Sequence, residues 1–324
     1  MVRRGGAATF GDATGEYLAL RTASAYVRDW YDLLWVRGPD AVTFLEGLVS
    51  QAVEGVEPGS AARSLLLSPQ GKLRAPHVLL RGEDEVGLIT DAGVGETAAA
   101  DLRRFKIRVD ASIEPETGPV VGVWGPTAAA AVASVTGIEP ELGWRRHESV
   151  VVAAVPVAAV AYPRFVVVGE EAAAFDRAGV SGAGTLAADA VRIEAGEPIM
   201  GVDIDERTIP QEAGLVADAV DFTKGCYLGQ ELVARIDSRG HVNRHLRGIV
   251  MASNVLPPPG AEVVRSDAVV GSISSVAESL ELRAPVGLAL VRREVAPGDA
   301  VVVRWEKGEA PATVRALPLD SFEA

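Results

Sequence analysis

The last third of the chain leaves the fewest choices of fold. From Leu246 onward, short Val-rich segments at 248–251, 262–265, 269–276, 286–291, 300–305 and 312–317 alternate with turns such as Pro257-Pro258-Pro259-Gly260 and Pro297-Gly298-Asp299. Strands this short and evenly spaced cannot each bury an apolar face alone. Together they predict a small antiparallel β-barrel over residues 245–324.

The remaining length suits two more domains, both of mixed type. After a lead-in to Ala23 without clear periodicity, 33–37 reads as a strand, ended by Gly38-Pro39-Asp40. Val42, Leu45, Leu48 and Val49 then follow at helical spacing. Strands at 64–67 and 78–80 flank the turn Ser68-Pro69-Gln70-Gly71, and a strand at 86–90, a helix at 97–105 and a strand at 106–113 complete the unit. Residues 1–115 therefore form an N-terminal α+β domain, with 190–240 expected to complete it. Residues 116–189 form a middle α+β domain: a strand at 120–124, an alanine-rich helix at 127–135, two strands within 150–168 and a helix at 170–178. Segment 187–195 fits a helix or strand and leads into a long loop, 196–221.

A formal net charge of -13 argues against a general nucleic-acid binder and against a polybasic membrane-surface protein. The first residues lack the apolar run of a signal peptide, and the most apolar stretch, 150–162, is broken by Pro156. One cysteine and no export signal point to a reducing cytoplasm, with no membrane partner and no direct nucleic-acid partner.

That cysteine, Cys226, lies in Lys224-Gly225-Cys226-Tyr227-Leu228-Gly229-Gln230-Glu231. It is either a small core residue or a working thiol. Lys224 is a nearby cation, and Leu228, Leu232 and Ile236 predict a helix over 229–236, so the thiol is expected just before a helix N-terminus that favours a thiolate. His241 and His245 follow within reach of a metal-site spacing, but Arg235, Arg239, Arg244 and Arg247 crowd the stretch, and no metal is expected. The arginines instead suit carboxylates or phosphates, or form a solvated strip. Gly182-Ala183-Gly184-Thr185-Leu186-Ala187 fits a loose dinucleotide pattern without the strand that should precede it, so a hinge is the better reading. Asp203, Asp205 and Glu206 read as solvated loop charges or hydrogen-bond acceptors. Glu194, between apolar neighbours, must find a donor if buried: an amidine-like pair such as a pterin edge, or an internal arginine.

These motifs resemble the YgfZ family of folate-binding proteins, relatives of the T-protein aminomethyltransferase of the glycine cleavage system. The Lys224 to Glu231 motif, continued by Leu232-Val233-Ala234-Arg235, looks like that family's signature. Ile193-Glu194-Ala195-Gly196, Ile209-Pro210-Gln211-Glu212, Val36-Arg37-Gly38-Pro39-Asp40 and Ser68-Pro69-Gln70-Gly71-Lys72 match its other blocks in order. The resemblance implies two α+β domains and the barrel packed as a ring around a central folate-binding channel. It also implies a tetrahydrofolate-binding accessory protein for assembly or repair of iron–sulfur clusters in client enzymes, including tRNA-modifying ones. In that setting Cys226 is the functional thiol, activated by Lys224. Glu194 would meet the pterin edge, Trp30 or Tyr31 would stack on it, and Gln230 and Glu231 belong to the binding set. Arg235, Arg239 or Arg244 would attract the glutamate tail.

Two departures separate the chain from a T-protein. T-proteins carry an acidic residue on the strand after the Pro-x-Gly turn, whereas Lys72 to Leu80 holds no carboxylate, and they have Asp where Cys226 stands. His77 is the one base there, expected to be a partly exposed strand residue. A tryptophan of some family members is replaced at Ala187-Ala188-Asp189. The alternative reading is a tetrahydrofolate-dependent aminomethyltransferase or demethylase acting on a small amine.

Overall fold

The computed structural model describes residues 6–157, 164–170 and 172–319, the side chains of residues 172 and 239 excepted. The apolar run Leu33-Leu34-Trp35-Val36 sets its layering. In strand Tyr31–Arg37 successive side chains face opposite ways. Leu34 and Val36 enter a core with helices Ala41–Glu46 and Gly95–Phe105. Leu33 and Trp35 enter a second core with Val151, Ala153 and Val166. The strand is buried on both faces, and its sheet lies between helices and a second sheet.

The first sheet is five-stranded and antiparallel, in the order Ala61–Leu67, Leu73–Arg81, Glu85–Asp91, Tyr31–Arg37, Ser112–Pro115. The strand expected at 106–113 shortens to Ser112–Pro115, because Lys106 to Arg108 are exposed and Arg108 takes a φ of 57°. The second sheet is six-stranded, in the order Ser181–Gly182, Ala25–Arg28, Val120–Trp124, Arg164–Val168, Val150–Val155, Trp144–His147. Its strand Ala25–Arg28 comes from the N-terminal stretch, so this sheet reaches back across the boundary expected at residue 115. The lead-in also holds helix Ala13–Thr22, opened by Asp12, which accepts from the Gly15 N–H at 2.9 Å. Its buried side is only Glu16, Tyr17 and Leu20, and a charge among the three hides the period.

Segment 187–195 resolves as helix Thr185–Ala195, and the loop beyond it contains the short helices Pro210–Ala213 and Val216–Ala219. The barrel closes with six antiparallel strands in the order Arg244–Met251, Ala284–Arg292, Ala268–Ser279, Glu262–Arg265, Ala300–Trp305, Gly308–Arg315. Its interior is Ile249, Val263, Val291, Val303 and Val314, all fully buried. Ala277, Val286 and Leu288 on its outside pack with helices Ala13–Thr22 and Thr185–Ala195, which join barrel to sheets. No helix among the described residues is long and apolar enough to cross a membrane.

Candidate functional site

The first sheet, the second sheet and the exit of helix Thr185–Ala195 enclose a cleft of about 80 Å³. Arg63, Ser64, His77 and Asp91 come from the first sheet, Val155 to Val157 from the second, and Arg192 and Glu197 to Ile199 from the helix exit. Trp30 and Tyr31 line it as well. Trp30 meets Trp124 edge to face at 5.0 Å, and burial raises the Tyr31 hydroxyl above its usual range, so both present neutral aromatic surface.

His77 corrects the expectation of a partly exposed strand residue, being only 6% exposed. The sheet pairs it with Ser64 and Thr90 on the neighbouring strands, which takes it out of solvent. Its Nδ1 lies 2.9 Å from the Ala75 carbonyl oxygen, which can only accept, so Nδ1 carries the proton. Nε2 is left as a bare lone pair without a partner among the described residues. An unmet acceptor of this kind costs roughly 1–3 kcal/mol. Burial also lowers the imidazole pKa to about 4 from 6.5. Between those values the unfolded chain binds the proton that the folded one refuses, so stability falls as the pH drops through this window. The expected loss is about 3 kcal/mol. Urea midpoints measured against pH should lose this acid limb in His77→Gln; an unchanged limb would assign it to another group.

Beside the cleft, Arg164 is buried against the Trp124 ring, 4.0 Å from its centroid, and gives Nη1–H to Glu197 Oε2 at 2.7 Å. Glu197 Oε1 is buried without a partner among the described residues. Arg63 forms no hydrogen bond or ion pair among the described side chains, which makes it the uncommitted cation of the lining. Arg192, by contrast, is committed. It donates to Asp203 at 2.8 Å, Ser275 at 2.6 Å, Asp189 at 2.5 Å and the Glu197 carbonyl at 3.1 Å. Burial opposes its charge, and Asp203 and Asp189 more than offset this, holding the pKa above the usual arginine range. Asp203 is thus not a solvated loop charge: it is buried, and it also accepts from Ser274 and the Ile199 N–H.

The cysteine loop stands behind one wall of this cleft. Ser64 accepts the Gln51 N–H at 3.1 Å, and the Gln51 carbonyl accepts from Lys224 Nζ at 2.7 Å. Lys224 also donates to the carbonyls of Glu46 at 2.7 Å and Val49 at 2.9 Å, with the Glu46 carboxylate 3.3 Å away. Burial pulls its pKa down and Glu46 opposes that shift. All three N–H donors are therefore spent on the segment after helix Ala41–Glu46, a structural staple in place of the expected thiol activator.

Cys226 is exposed. Helix Gln230–Arg239 begins after its cap residue Gly229, so Tyr227 and Leu228 stand between the cysteine and that cap along the chain. Gln230 holds the loop by accepting the Tyr227 N–H at 3.1 Å. Gly225 has open space around it, while Gly229 is required, with φ of 81° and the Ser68 carbonyl where a Cβ would go. Gly71, φ 71°, approaches from the other side, its hypothetical Cβ 2.9 Å from the Gly229 oxygen.

Glu194 takes the internal alternative. It is fully buried, accepts from Tyr17 at 2.8 and 3.0 Å, Arg21 at 3.2 Å and Ser279 at 2.6 Å, and does not line the cleft. Arg244 makes a two-pronged pair with Glu212 at 3.1 and 3.0 Å, at a separate groove beside the barrel. Arg235 and Glu231 are exposed on helix Gln230–Arg239, and the Arg239 side chain lies outside the described residues. Of the sequence-derived candidates, Trp30 and Tyr31 reach the cleft lining. Arg63, His77 and Glu197 join them there. Arg63, at the head of an apolar strand, carried a readable signal; Glu197 meets Arg164 only through the fold. Among the described residues no group of three His, Cys, Asp or Glu could hold a metal ion.

Comparison with known proteins agrees with this architecture. Residues 14–172 match the T-protein N-terminal domain family and residues 244–320 the glycine cleavage T-protein C-terminal barrel domain. A protein of Cronobacter sakazakii named tRNA-modifying protein YgfZ is 28% identical over 246 residues, 73% of this chain and 74% of its own. Its namesake in Escherichia coli O157:H7 is 29% identical over 72% of this chain and 74% of its own. The glycine cleavage system aminomethyltransferase T of Bartonella henselae has the same fold, with a TM-score of 0.85 over 96% of this chain and 90% of that one, at 20% identity. With both T-protein domains matched and relatives named YgfZ along most of its length, the chain belongs to the YgfZ/T-protein superfamily.

Proposed function

We propose that this chain is a cytoplasmic, tetrahydrofolate-binding accessory protein that supports assembly or repair of iron–sulfur clusters in client enzymes, tRNA-modifying ones among them, with Cys226 as its working thiol. The observation that carries the reading is the cleft, where the aromatic side chains of Trp30 and Tyr31 stand beside Arg63, a cation without a side-chain partner among the described residues. A pterin fits that lining. Trp30 and Tyr31 offer it flat apolar surface, the Glu197 carboxylate of the lining suits its amidine edge, and Arg63 suits a carboxylate tail. Bound tetrahydrofolate supplies one-carbon or reducing chemistry. The protein's part is to orient it, exclude water and keep Cys226 on a loop tied to the cleft wall through Gln51.

The amine-transferring alternative is disfavoured by the strand facing the cleft. Leu73–Arg81 offers Pro76 and His77 where a carboxylate would position the amine. Asp91, the other carboxylate of the lining, accepts the Met200 N–H at 2.8 Å. Calorimetry with tetrahydrofolate is the first test, with binding expected and its absence overturning the proposal. Cys226→Ala should then fold and bind folate as the parent does while failing to support an iron–sulfur client. Formation of methylene-tetrahydrofolate from tetrahydrofolate and a methylamine would favour the transferase instead.

A further inference from the structure

Loop 221–226 is held at both ends and turned outward between them. Val220 and Tyr227 pack on the core beneath the first sheet. The Asp221 N–H is donated to the Ser50 carbonyl at 3.0 Å, and Asp221 Oδ1 accepts the Thr223 N–H at 2.7 Å and its hydroxyl at 2.6 Å. Lys224 points inward to its three carbonyls and is only 1% exposed. What the loop shows to solvent is Cys226, with open space around Gly225 beside it, and Phe222. The Phe222 side chain is 49% exposed and enters none of the apolar cores. A single exposed aromatic is common on protein surfaces. One carried by a loop with this many bonds has little freedom left to lose on docking, which is the cost that usually offsets such an anchor.

The charge around the loop has one sign. Glu46, Glu54 and Asp221 all lie close enough to Lys224 to favour its ammonium. Since that ammonium is out of solvent, the negative members of the group are the ones that reach it. We propose that loop 221–226 is a docking surface for a basic protein partner, with Phe222 entering an apolar pocket of that partner and the carboxylates meeting its lysines and arginines. The proposal rests on the function given above and names the contact by which a client reaches Cys226. An enzyme that acts on tRNA needs a cationic surface to hold a polyanion, and that surface complements these carboxylates. Aromatic side chains at the centre of an interface carry a large share of its binding energy.

The partner for the test is a purified, cluster-bearing tRNA-modifying enzyme whose activity in the same cells is lost with Cys226→Ala. Its binding to the full chain is followed by biolayer interferometry. Phe222→Ser is expected to weaken the complex by about tenfold or more. Glu54→Lys, at an exposed position, is expected to slow association several-fold, and raised salt should weaken the parent complex in the same way. Both variants should bind tetrahydrofolate as the parent does, which reports a folded chain. A photo-crosslinking benzoylphenylalanine in place of Phe222 should join the chain to this enzyme. Parent-like affinity in both variants, a complex indifferent to salt, or a crosslink only to a second copy of the chain would each overturn the docking surface and leave the accessory function standing. If no client loses activity with Cys226→Ala, the functional reading itself fails, and this proposal with it.

Discussion

Arg192→Met is expected to destabilise the chain by about 3–5 kcal/mol, because it removes one half of a buried ion pair and leaves Asp203 enclosed without its cation. The damage should spread beyond one contact. Arg192 sits on helix Thr185–Ala195, Asp203 in the loop that follows, and Ser275 on a barrel strand, so the guanidinium joins three segments. Urea unfolding would show the loss as a shift in midpoint. The exposed pair of Arg145 and Glu141 is the control: Arg145→Met should cost less than about 0.5 kcal/mol, since solvent already screens it. A similar cost for both substitutions would mean that the buried network adds nothing to stability.

Lys224→Met should cost about 2–4 kcal/mol, against a change within about 0.5 kcal/mol for Cys226→Ala. The two residues are near neighbours in one motif, yet their surroundings are opposite. The Lys224 ammonium is the donor for the carbonyls of Glu46, Val49 and Gln51, and a methionine has nothing to give them. The Cys226 thiol faces solvent, and its removal empties no core. Thermal or urea unfolding of both variants separates the roles. A destabilised Cys226→Ala would make the cysteine a packing residue and remove the case for a working thiol.

The barrel was legible because it is built from local signals, short strands between Pro/Gly turns: the strands expected at 262–265 and 300–305 keep their bounds, those at 248–251, 269–276 and 286–291 extend, and that at 312–317 shifts to Gly308–Arg315. The apolar run Leu33 to Val36, expected as a strand, likewise lies in one, Tyr31–Arg37. Helix Ala13–Thr22 was hidden because what it buries, Tyr17 and Leu20, is covered by a helix far along the chain. The site divides in the same way. Trp30 and Tyr31 were visible as aromatics at the head of a strand. The basic cluster from Arg235 to Arg247 looked like an anion wall, yet Arg244 spends its charge on Glu212, and no sequence window contains both. Lys224 misled for the same reason: its partners Glu46, Val49 and Gln51 lie far away along the chain, while proximity in sequence suggested Cys226. A carboxylate or ammonium shows its charge in the sequence, but not who neutralises it.

The back-to-back meeting of Gly71 and Gly229 has a consequence for variation. The Pro69 turn and the cysteine loop lie far apart along the chain, yet at these two positions they share one layer of space, with the Leu232 side chain closing its edge. Neither glycine can change independently. A side chain at Gly71 would strike Leu232 and the Gly229 backbone, so its tolerance depends on residues in the other motif. The two motifs are therefore expected to drift together, as a single epistatic unit.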